Sequence, residues 1–333
     1  MSIRSFLHHT DATPPAGAHM GLGLAALGRP GYINLGHHRD LPTGREVRAM
    51  EQHTHRVLDA AYAAGVRYFD AARSYGRAES FLTTWLQKRG LAPGQVSVGS
   101  KWGYTYTANW QVNATHHEIK DHSLAQLERQ WTESRSHLGQ HLGLYQIHSA
   151  KLETGVLEDT EVLHYLAHLK REGVHIGLSL SGPGQGDTLR RALAVELDGL
   201  RLFDAVQATW NLLERSAEPA LREAHAAGLG IIIKEALANG RLTPRNERPG
   251  DRAWQEAVSE QAARLGAGLD ALALATVLQQ PWVDLVLSGA ATADHLRSNL
   301  QALPLSAKAL PDFSSLTEAP ETYWQTRQGL AWN

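Results

Sequence analysis

Four residues of this chain carry complementary chemistry, and each ends or closely follows an apolar run. Asp70 closes Val66-Arg67-Tyr68-Phe69, and Tyr75 follows five residues on, just before Gly76. Lys101 closes Val96-Ser97-Val98-Gly99-Ser100, and His148 closes Leu142-Gly143-Leu144-Tyr145-Gln146-Ile147. A carboxylate aimed out of a strand end is costly without a partner, and a lysine ammonium is such a partner. A phenol with an ordinary pKa of ~10 is a poor proton donor near neutrality. An ammonium about 4 Å away, at an effective dielectric of roughly 20, contributes on the order of 4 kcal/mol. Lys101 is therefore expected to pull the Tyr75 phenol down by as much as ~3 pH units, less what desolvation takes back. Asp70 would keep Lys101 charged and oriented. His148 would donate a hydrogen bond to a substrate oxygen. The set suits protonation of an alkoxide as a hydride arrives at a carbonyl carbon, or the reverse. Singly, each residue is more often an ion pair, a turn cap or a satisfied histidine. Four complementary groups on three successive strand ends are a far rarer coincidence.

The elements that must position them repeat eight times. Apolar runs at 20–28, 66–70, 96–101, 142–148, 174–181, 203–207, 229–233 and 283–288 read as strands, and each is followed by a helical pattern. The runs are mostly continuous rather than alternating, as in parallel sheets covered on both faces. Eight such units predict an α/β fold, a closed parallel (β/α)8 TIM barrel with long βα loops and function at the strand C-terminal ends. One domain over 1–333 is expected, with 304–333 as a tail packing on the barrel. A doubly wound sheet is the rival, but Gly21-Leu22-Gly23 is followed by Gly28 at the wrong spacing for a dinucleotide fingerprint. Thr43-Gly44-Arg45-Glu46 has capping-box form, with Val47, Met50, Val57, Leu58 and Ala61 at helical spacing after it. Helices are also expected over 118–138 and 189–197, and a loop over 104–117. The stretch from Arg29 to His55 reads as a long polar insertion, and loops of that length usually have a role.

Apolar residues at 43% and charged residues at 20% are those of a chain that buries a sizeable core. The near-balance of 32 basic and 34 acidic residues, with no basic stripe, argues against nucleic acid as a partner. With no cysteine, disulfides, thiolate metal sites and a cysteine nucleophile are excluded. No metal is expected. His37 and His38 lack metal-site spacing and read as solvated loop histidines. No apolar signal segment is visible, and the most apolar window, 269–291, is interrupted by Asp270, Gln279-Gln280-Pro281 and Asp284. A cytoplasmic protein acting on a small molecule is expected, as a monomer or small homo-oligomer, without nucleic-acid or membrane partners.

The chain resembles the aldo-keto reductases over nearly its whole length. The resemblance rests on Gly21-Leu22-Gly23, the stretch from Tyr68 to Gly76, Ser100-Lys101 and Leu144-Tyr145-Gln146-Ile147-His148. It continues through Ser179, Gln207, Leu237 with Gly240, and Ser288-Gly289-Ala290 on to Asn299. It implies a (β/α)8 barrel that binds NAD(P)H without a Rossmann fold and interconverts aldehydes, ketones or sugar lactols with their reduced or oxidised partners. It implies Tyr75 as general acid/base, Lys101 as tuner of its pKa, Asp70 as the lysine's partner and His148 as the group orienting the carbonyl. It further implies Ser179 and Gln207 near the nicotinamide carboxamide, with Gly23 and Asp70 at the cofactor floor. Ser288, Gly289, Thr292 and the helix to Asn299 would hold the adenosine phosphate end, as helix N-termini hold anions. Leu237 and Gly240 match the family on the cofactor side of the seventh strand.

The chain departs from that pattern in three places. Leu180 stands where the family often has asparagine. Lys234 stands where an aromatic commonly stacks on the nicotinamide, with Glu235-Ala236 in place of Ser-Pro. Around the last strand Gly289, Ala291, Thr292 and His295 replace the cations that grip a 2′-phosphate, Arg297 being nearest. The cofactor is NADP(H) or NAD(H), with Arg241, Arg245 and Arg248 as possible compensating cations or simply a solvated loop. Lys234 also raises a Schiff-base chemistry, if deprotonated, and a cofactor-binding regulator with little turnover is a further reading. Trp102, Tyr104, Tyr106, Trp110, Tyr323 and Trp324 could line a substrate pocket or seal the barrel ends. His116-His117 face substrate or solvent.

Overall fold

The eight apolar runs form eight parallel strands. In the computed structural model, which describes residues 1–9, 19–41 and 44–333, these are β1 (His19–Gly23), β2 (Tyr68–Asp70), β3 (Ser97–Trp102), β4 (Leu142–Ala150), β5 (His175–Leu180), β6 (Ala205–Thr209), β7 (Gly230–Lys234) and β8 (Leu285–Ser288). They pair in chain order and close, β8 returning to β1, into a barrel. Register along the ring sets Gly23 beside Asp70, Asp70 beside Gly99, Lys101 beside Gln146, Gln207 beside Ser179 and Thr209 beside Lys234. The chemistry-bearing strand ends thus share one rim. A closed parallel sheet buries both faces, which is why its strands lack polar alternation.

Helices cover the outside with their apolar stripes inward. Val47–Ala63 buries Met50, Val57, Leu58 and Ala61, and Ala78–Arg89 buries Phe81, Leu82, Trp85 and Leu86. Several start on side-chain caps. Ser123 accepts from the Gln126 N–H, Asp159 from Glu161 and Val162, and Thr292 from His295. Inside the opposite end of the barrel, Tyr68, Leu144, Ile232, Leu285 and Leu287 pack with Ile3, Phe6 and Leu7 of a short N-terminal helix, Ile3–His8, that the sequence reading did not anticipate.

Three local expectations are corrected. Residues 118–120 are not helical: Glu118–Lys120 pairs antiparallel with Tyr104–Tyr106, and the helix begins only at Leu124, where Ser123 caps it. The expected loop 104–117 therefore opens as a ribbon stem, which suits its tyrosines. The helix expected over 189–197 runs Gln185–Leu193, and the chain then makes a small ribbon of Glu196–Leu197 with Leu200–Arg201. Asp198 and Gly199, both at positive φ, form its turn, an Asp-Gly signal readable in the sequence. The insertion after Arg29 ends at Glu46, since the helix starts at Val47; Glu46 is its N-cap without a side-chain bond, and Thr43 lies outside the described residues. Among the described residues no helix is long and apolar enough to cross a membrane.

Residues 320–328 form a helix that buries Tyr323 and Trp324. Asn333 then exchanges backbone hydrogen bonds with Tyr32 and bonds the Asn34 carbonyl, beside the strand C-terminal rim.

Candidate active site

The rim encloses a cavity of about 710 Å³, of a size usual for small-ligand sites. Gly23, Asp70, Tyr75, His148, Gln207, Lys234, Leu237, Gly240, Ser288, Gly289 and Asn299 line it. Lys101, Ser179, Arg241 and Thr292 do not.

Lys101 lies behind Tyr75, with no exposed surface. Its ammonium donates to Asp70 Oδ2, to the Ala71 carbonyl at 3.0 Å and to Tyr75 Oη at 3.2 Å. All three of its N–H donors are thus engaged. Asp70, on the strand between, accepts at its other oxygen from Gln207 Nε2 at 3.0 Å and Gln146 Nε2 at 3.3 Å, with the Tyr68 hydroxyl at 3.5 Å. A Cβ at position 99 would stand 2.3 Å from the Tyr68 hydroxyl, so only glycine leaves that approach to Asp70 open. The loop bearing Tyr75 is locked to the β1 loop at a second such contact. Gly76 has φ +61°, Arg77 N–H donates to the Gly28 carbonyl at 2.7 Å, and a Cβ on Gly28 would meet the Tyr75 carbonyl at 2.2 Å. These contacts aim the phenol with little slack.

The expected downward pull of Lys101 on Tyr75 is not what prevails. Burial, followed by the Asp70 carboxylate, pushes the phenol well above its ordinary value. Lys101 is already neutralised by Asp70, so the phenol meets an ion pair and not a lone cation. Burial also lowers the Lys101 ammonium, against the pull of Asp70. Tyr75 is thus a protonated phenol in hydrogen-bond contact with the Lys101 ammonium.

His148 stands beside Tyr75, ring centroids 5.5 Å apart and edge-to-face. A register shift in the pairing of β4 with β5 between Ile147 and Ala150 re-aims this strand end. The next residue, Ser149, has φ 53° and donates its N–H to Ser179 Oγ at 2.8 Å. That contact ties the Ser179 hydroxyl on β5 to the end of β4. Burial, then Lys101, Lys234 and Arg29, drives His148 well below its ordinary pKa, so its ring is neutral. Nδ1 lies 3.3 Å from Ser74 Oγ, and Nε2 has no protein hydrogen-bond partner among the described residues.

Across the rim, Lys234 Nζ donates to Thr209 Oγ1 at 2.8 Å and lies 3.8 Å from Glu235 Oε1. Glu235 is gripped mainly by Arg327, whose Nε and Nη2 reach both carboxylate oxygens, and it accepts from Thr209 at 3.1 Å. Burial works against its charge, but Arg327, Lys234 and Thr209 outweigh it and hold the carboxyl at about 2. Burial drops Lys234 to about 8, against the pull of Glu235.

Between β7 and β8 the cavity continues as a groove. Its wall is Leu237, Asn239, Gly240 and Arg245 on one side and Ser288 to Ala291, Asp294, His295, Ser298 and Asn299 on the other. Ser288 Oγ accepts from Asn299 Nδ2 at 2.9 Å and from the Ala290 N–H at 3.3 Å. Thr292 caps the helix Ala293–Leu300, whose first turn faces the groove through Asp294 and His295. The N-terminus of that helix, with N–H groups that have no intrahelical partner, is a place that favours an anion. Arg241 does not belong to it: its guanidinium is bound by Asp251 and Glu318, so it is spent on the fold. Arg245 bonds Asp40 and the Gly36 carbonyl, and His295 lies 3.6 Å from Asp40. Arg248 likewise pairs with Asp251, at 3.4 Å.

Of the two readings left open for Trp102, Tyr104, Tyr106, Trp110, Tyr323 and Trp324, lining a pocket does not hold, since none of them lines the cavity. Trp102, Tyr323 and Trp324 are core, and Trp110 packs on Phe81. Tyr32 and Trp332 line the cavity instead, holding Arg29 between them with guanidinium-to-ring distances of 5.1 and 4.7 Å. Arg29 also stands 5.3 Å from the Tyr75 ring and pairs with Glu118 at 3.0 Å. His117 stacks on Trp332 at 3.9 Å. His37 is fully buried rather than solvated, and burial followed by Arg45 and Arg29 lowers it to about 3. Gln146 was missed as a support of Asp70; its signal was the period-2 alternation that puts it on the same face as His148.

The sequence profile of the aldo/keto reductase family matches residues 20–318. The chain is 27% identical over 280 residues to the uncharacterized oxidoreductase YrpG of Bacillus subtilis, covering 77% of this chain and 83% of that one. An aldo-keto reductase of Bacillus halodurans superposes with TM-score 0.66 at 20% identity, over 93% of this chain and 92% of that one. The glycerol dehydrogenase of Gluconobacter oxydans superposes with TM-score 0.65 at 18% identity, over 96% and 92%. These two superpositions bear on the fold alone.

Proposed function

The chain belongs to the aldo/keto reductase family of NAD(P)-dependent oxidoreductases, and from that premise we propose that Tyr75 is the proton donor for reduction of an aldehyde, ketone or lactol carbonyl, and the acceptor in reverse. The observation that carries this reading is the contact of Lys101 Nζ with Asp70 and Tyr75 Oη beside a neutral His148. Bound nicotinamide dinucleotide supplies the hydride. His148 donates a hydrogen bond to the carbonyl oxygen and sets it against Tyr75. The Tyr75 proton passes to that oxygen as negative charge develops there, and Lys101 stabilises the phenolate left behind. Asp70 keeps Lys101 in place, with Gln146 and Gln207 holding the carboxylate. Arg29, Tyr32 and Trp332 border the space left for substrate.

We infer NAD(H) rather than NADP(H) as the nucleotide. Asp40, Asp270 and Asp294 line the far end of the groove. The nearby cations are already matched, Arg245 to Asp40 and the exposed Arg297 to Asp294. A 2′-phosphate would add charge where carboxylates already outnumber free cations.

The test is nucleotide oxidation with a panel of aldehydes, ketones and lactols, run with NADH and with NADPH. Turnover with at least one carbonyl class, and a lower Kd for NADH, is expected. Absence of nucleotide-dependent turnover, or carbonyl-dependent trapping of Lys234 by borohydride, would overturn the redox reading in favour of a binding protein or a Schiff-base enzyme.

A further inference from the structure

Lys234 is not absorbed by the proton-transfer machinery, yet it lines the same cavity. Its side chain is about 16% exposed. A lysine ammonium has three donors. Thr209 Oγ1 takes one, and the nearest carboxylate oxygen, at 3.8 Å, is beyond hydrogen-bond distance. That carboxylate is held by Arg327 in any case. The local cluster is two cations and one anion, so a net positive charge remains at the end of β7.

The route a dinucleotide must take passes this charge. Its phosphates fit the groove above β7 and β8, while the proton donors Tyr75 and His148 stand after β2 and on β4. Lys234, Gln207 and Gly23 line the same cavity as Tyr75 and His148, so a ring reaching from that groove to the two proton donors shares the cavity with the Lys234 ammonium. A reduced nicotinamide is neutral. An oxidised one carries a positive charge, and like charges in a low-dielectric site repel.

We propose that the Lys234 ammonium makes this site discriminate the redox state of its dinucleotide, holding the reduced form and expelling the oxidised one. The inference rests on the oxidoreductase reading and extends it. An enzyme so built loads reduced nucleotide even when the oxidised form is in excess, and it suits carbonyl reduction as the working direction. Arg327 adds to the repulsion, while Glu235 and Asp70 reduce it. Lys101 from β3 is matched by Asp70, and His148 from β4 is neutral.

The experiment is direct titration of the full chain with the reduced and oxidised forms of the same nucleotide, by quenching of intrinsic fluorescence and by calorimetry. For the wild type, Kd for the oxidised form is expected to exceed that for the reduced form by about tenfold or more. Lys234→Met and Lys234→Gln should collapse that ratio toward unity, chiefly by tightening the oxidised form, and Lys234→Arg should preserve it. Calorimetry of the wild type in buffers of different ionisation enthalpy gives a readout that needs no variant. Lys234 sits at about 8, so binding of the oxidised form should release a proton near that pH while the reduced form should not. A wild-type ratio at or below unity, a ratio unmoved in Lys234→Met, or equal proton release for both forms overturns the proposal and leaves the redox reading standing. If removing Lys234 weakens only carboxylated substrates, the lysine serves substrate and the proposal fails. If neither nucleotide binds the wild type, the oxidoreductase reading falls as well.

Discussion

Two lysines stand at strand C-terminal ends on the same rim, Lys101 fully buried and Lys234 partly exposed, each next to a carboxylate, and the structure gives them different situations. Lys101 has Asp70 to itself, together with the Ala71 carbonyl and the Tyr75 phenol, and all three of its protons are placed. Lys234 shares Glu235 with Arg327 and keeps one hydrogen bond of its own, to Thr209. The lesson concerns ownership of the carboxylate. A lysine with a dedicated anion becomes a fixed part whose hydrogen bonds hold its neighbours in place. One whose anion belongs to another cation keeps charge in reserve for whatever enters the cavity.

The comparison breaks most sharply at the phenol. Tyr75→Phe removes the proton and leaves the ring, so turnover should fall by roughly 10²–10⁴-fold, the usual contribution of a positioned acid. Nucleotide Kd should stay within about twofold, since no hydrogen bond to the groove is lost. Steady-state rates and fluorescence titration check both halves. Turnover retained within a few-fold would refute the assignment of Tyr75. Lys101→Met should give a loss of similar size, because the two act as one unit, whereas Lys234→Met should change kcat by less than about tenfold. Equal losses in the two lysine variants would erase the distinction drawn between them.

Next in size is the pair of carboxylates. Asp70→Asn leaves a fully buried ammonium without its anion and should cost about 3–5 kcal/mol of stability as well as activity. Glu235→Gln should cost less, about 2–3 kcal/mol, since Arg327 is partly exposed and can reach water. Urea unfolding compares them, and a larger loss at Glu235 would reverse the order. Acid separates the second case further. Glu235 sits at about 2 when folded and near its ordinary value of 4.5 when unfolded. Its stabilisation is therefore present above pH 4.5 and is lost as pH falls toward 2. Wild type and Glu235→Gln should converge in stability over that window.

The two regions also differ in how far they can be read from the chain. Asp70, Lys101 and His148 each end an apolar run, and Tyr75 follows one closely, so strand counting alone brings them together. The eight-fold alternation carries the barrel in the same way. What escaped was set by partners distant in sequence. Glu235 meets Arg327, 92 residues on, and nothing local announces that match. Arg241 read as a free loop cation, but its charge does not say that Asp251 and Glu318 own it. Arg29 and Trp332 meet at the cavity mouth from opposite ends of the chain. The direction of the Tyr75 shift was misjudged because a lysine's field was weighed above the burial that raises a phenol and the Asp70 carboxylate that adds to it. Gln146 and the Asp198-Gly199 turn were also missed, although strand period and turn chemistry carried a signal for each.

The smallest expected effect tests the reserve of charge itself. Lys234 drops from an ordinary 10.5 to about 8 on folding. Between those values the unfolded chain binds more protons than the folded one, so Lys234 makes wild-type stability rise with pH across that window. Below pH 8 the cost of burying the charge is fully present, on the order of 2–3 kcal/mol after allowance for its partial exposure. Lys234→Met removes that cost and gives up the hydrogen bond to Thr209, about 1 kcal/mol. The variant should therefore be more stable than wild type at about pH 7, by ~1–2 kcal/mol or roughly 2–4 °C in Tm. That advantage should shrink through pH 8–10.5 and vanish or reverse above it. Thermal unfolding of the two proteins across that range gives the difference curve. A flat curve would mean that burial costs the Lys234 ammonium nothing, and the reserve of charge assigned to it would be gone.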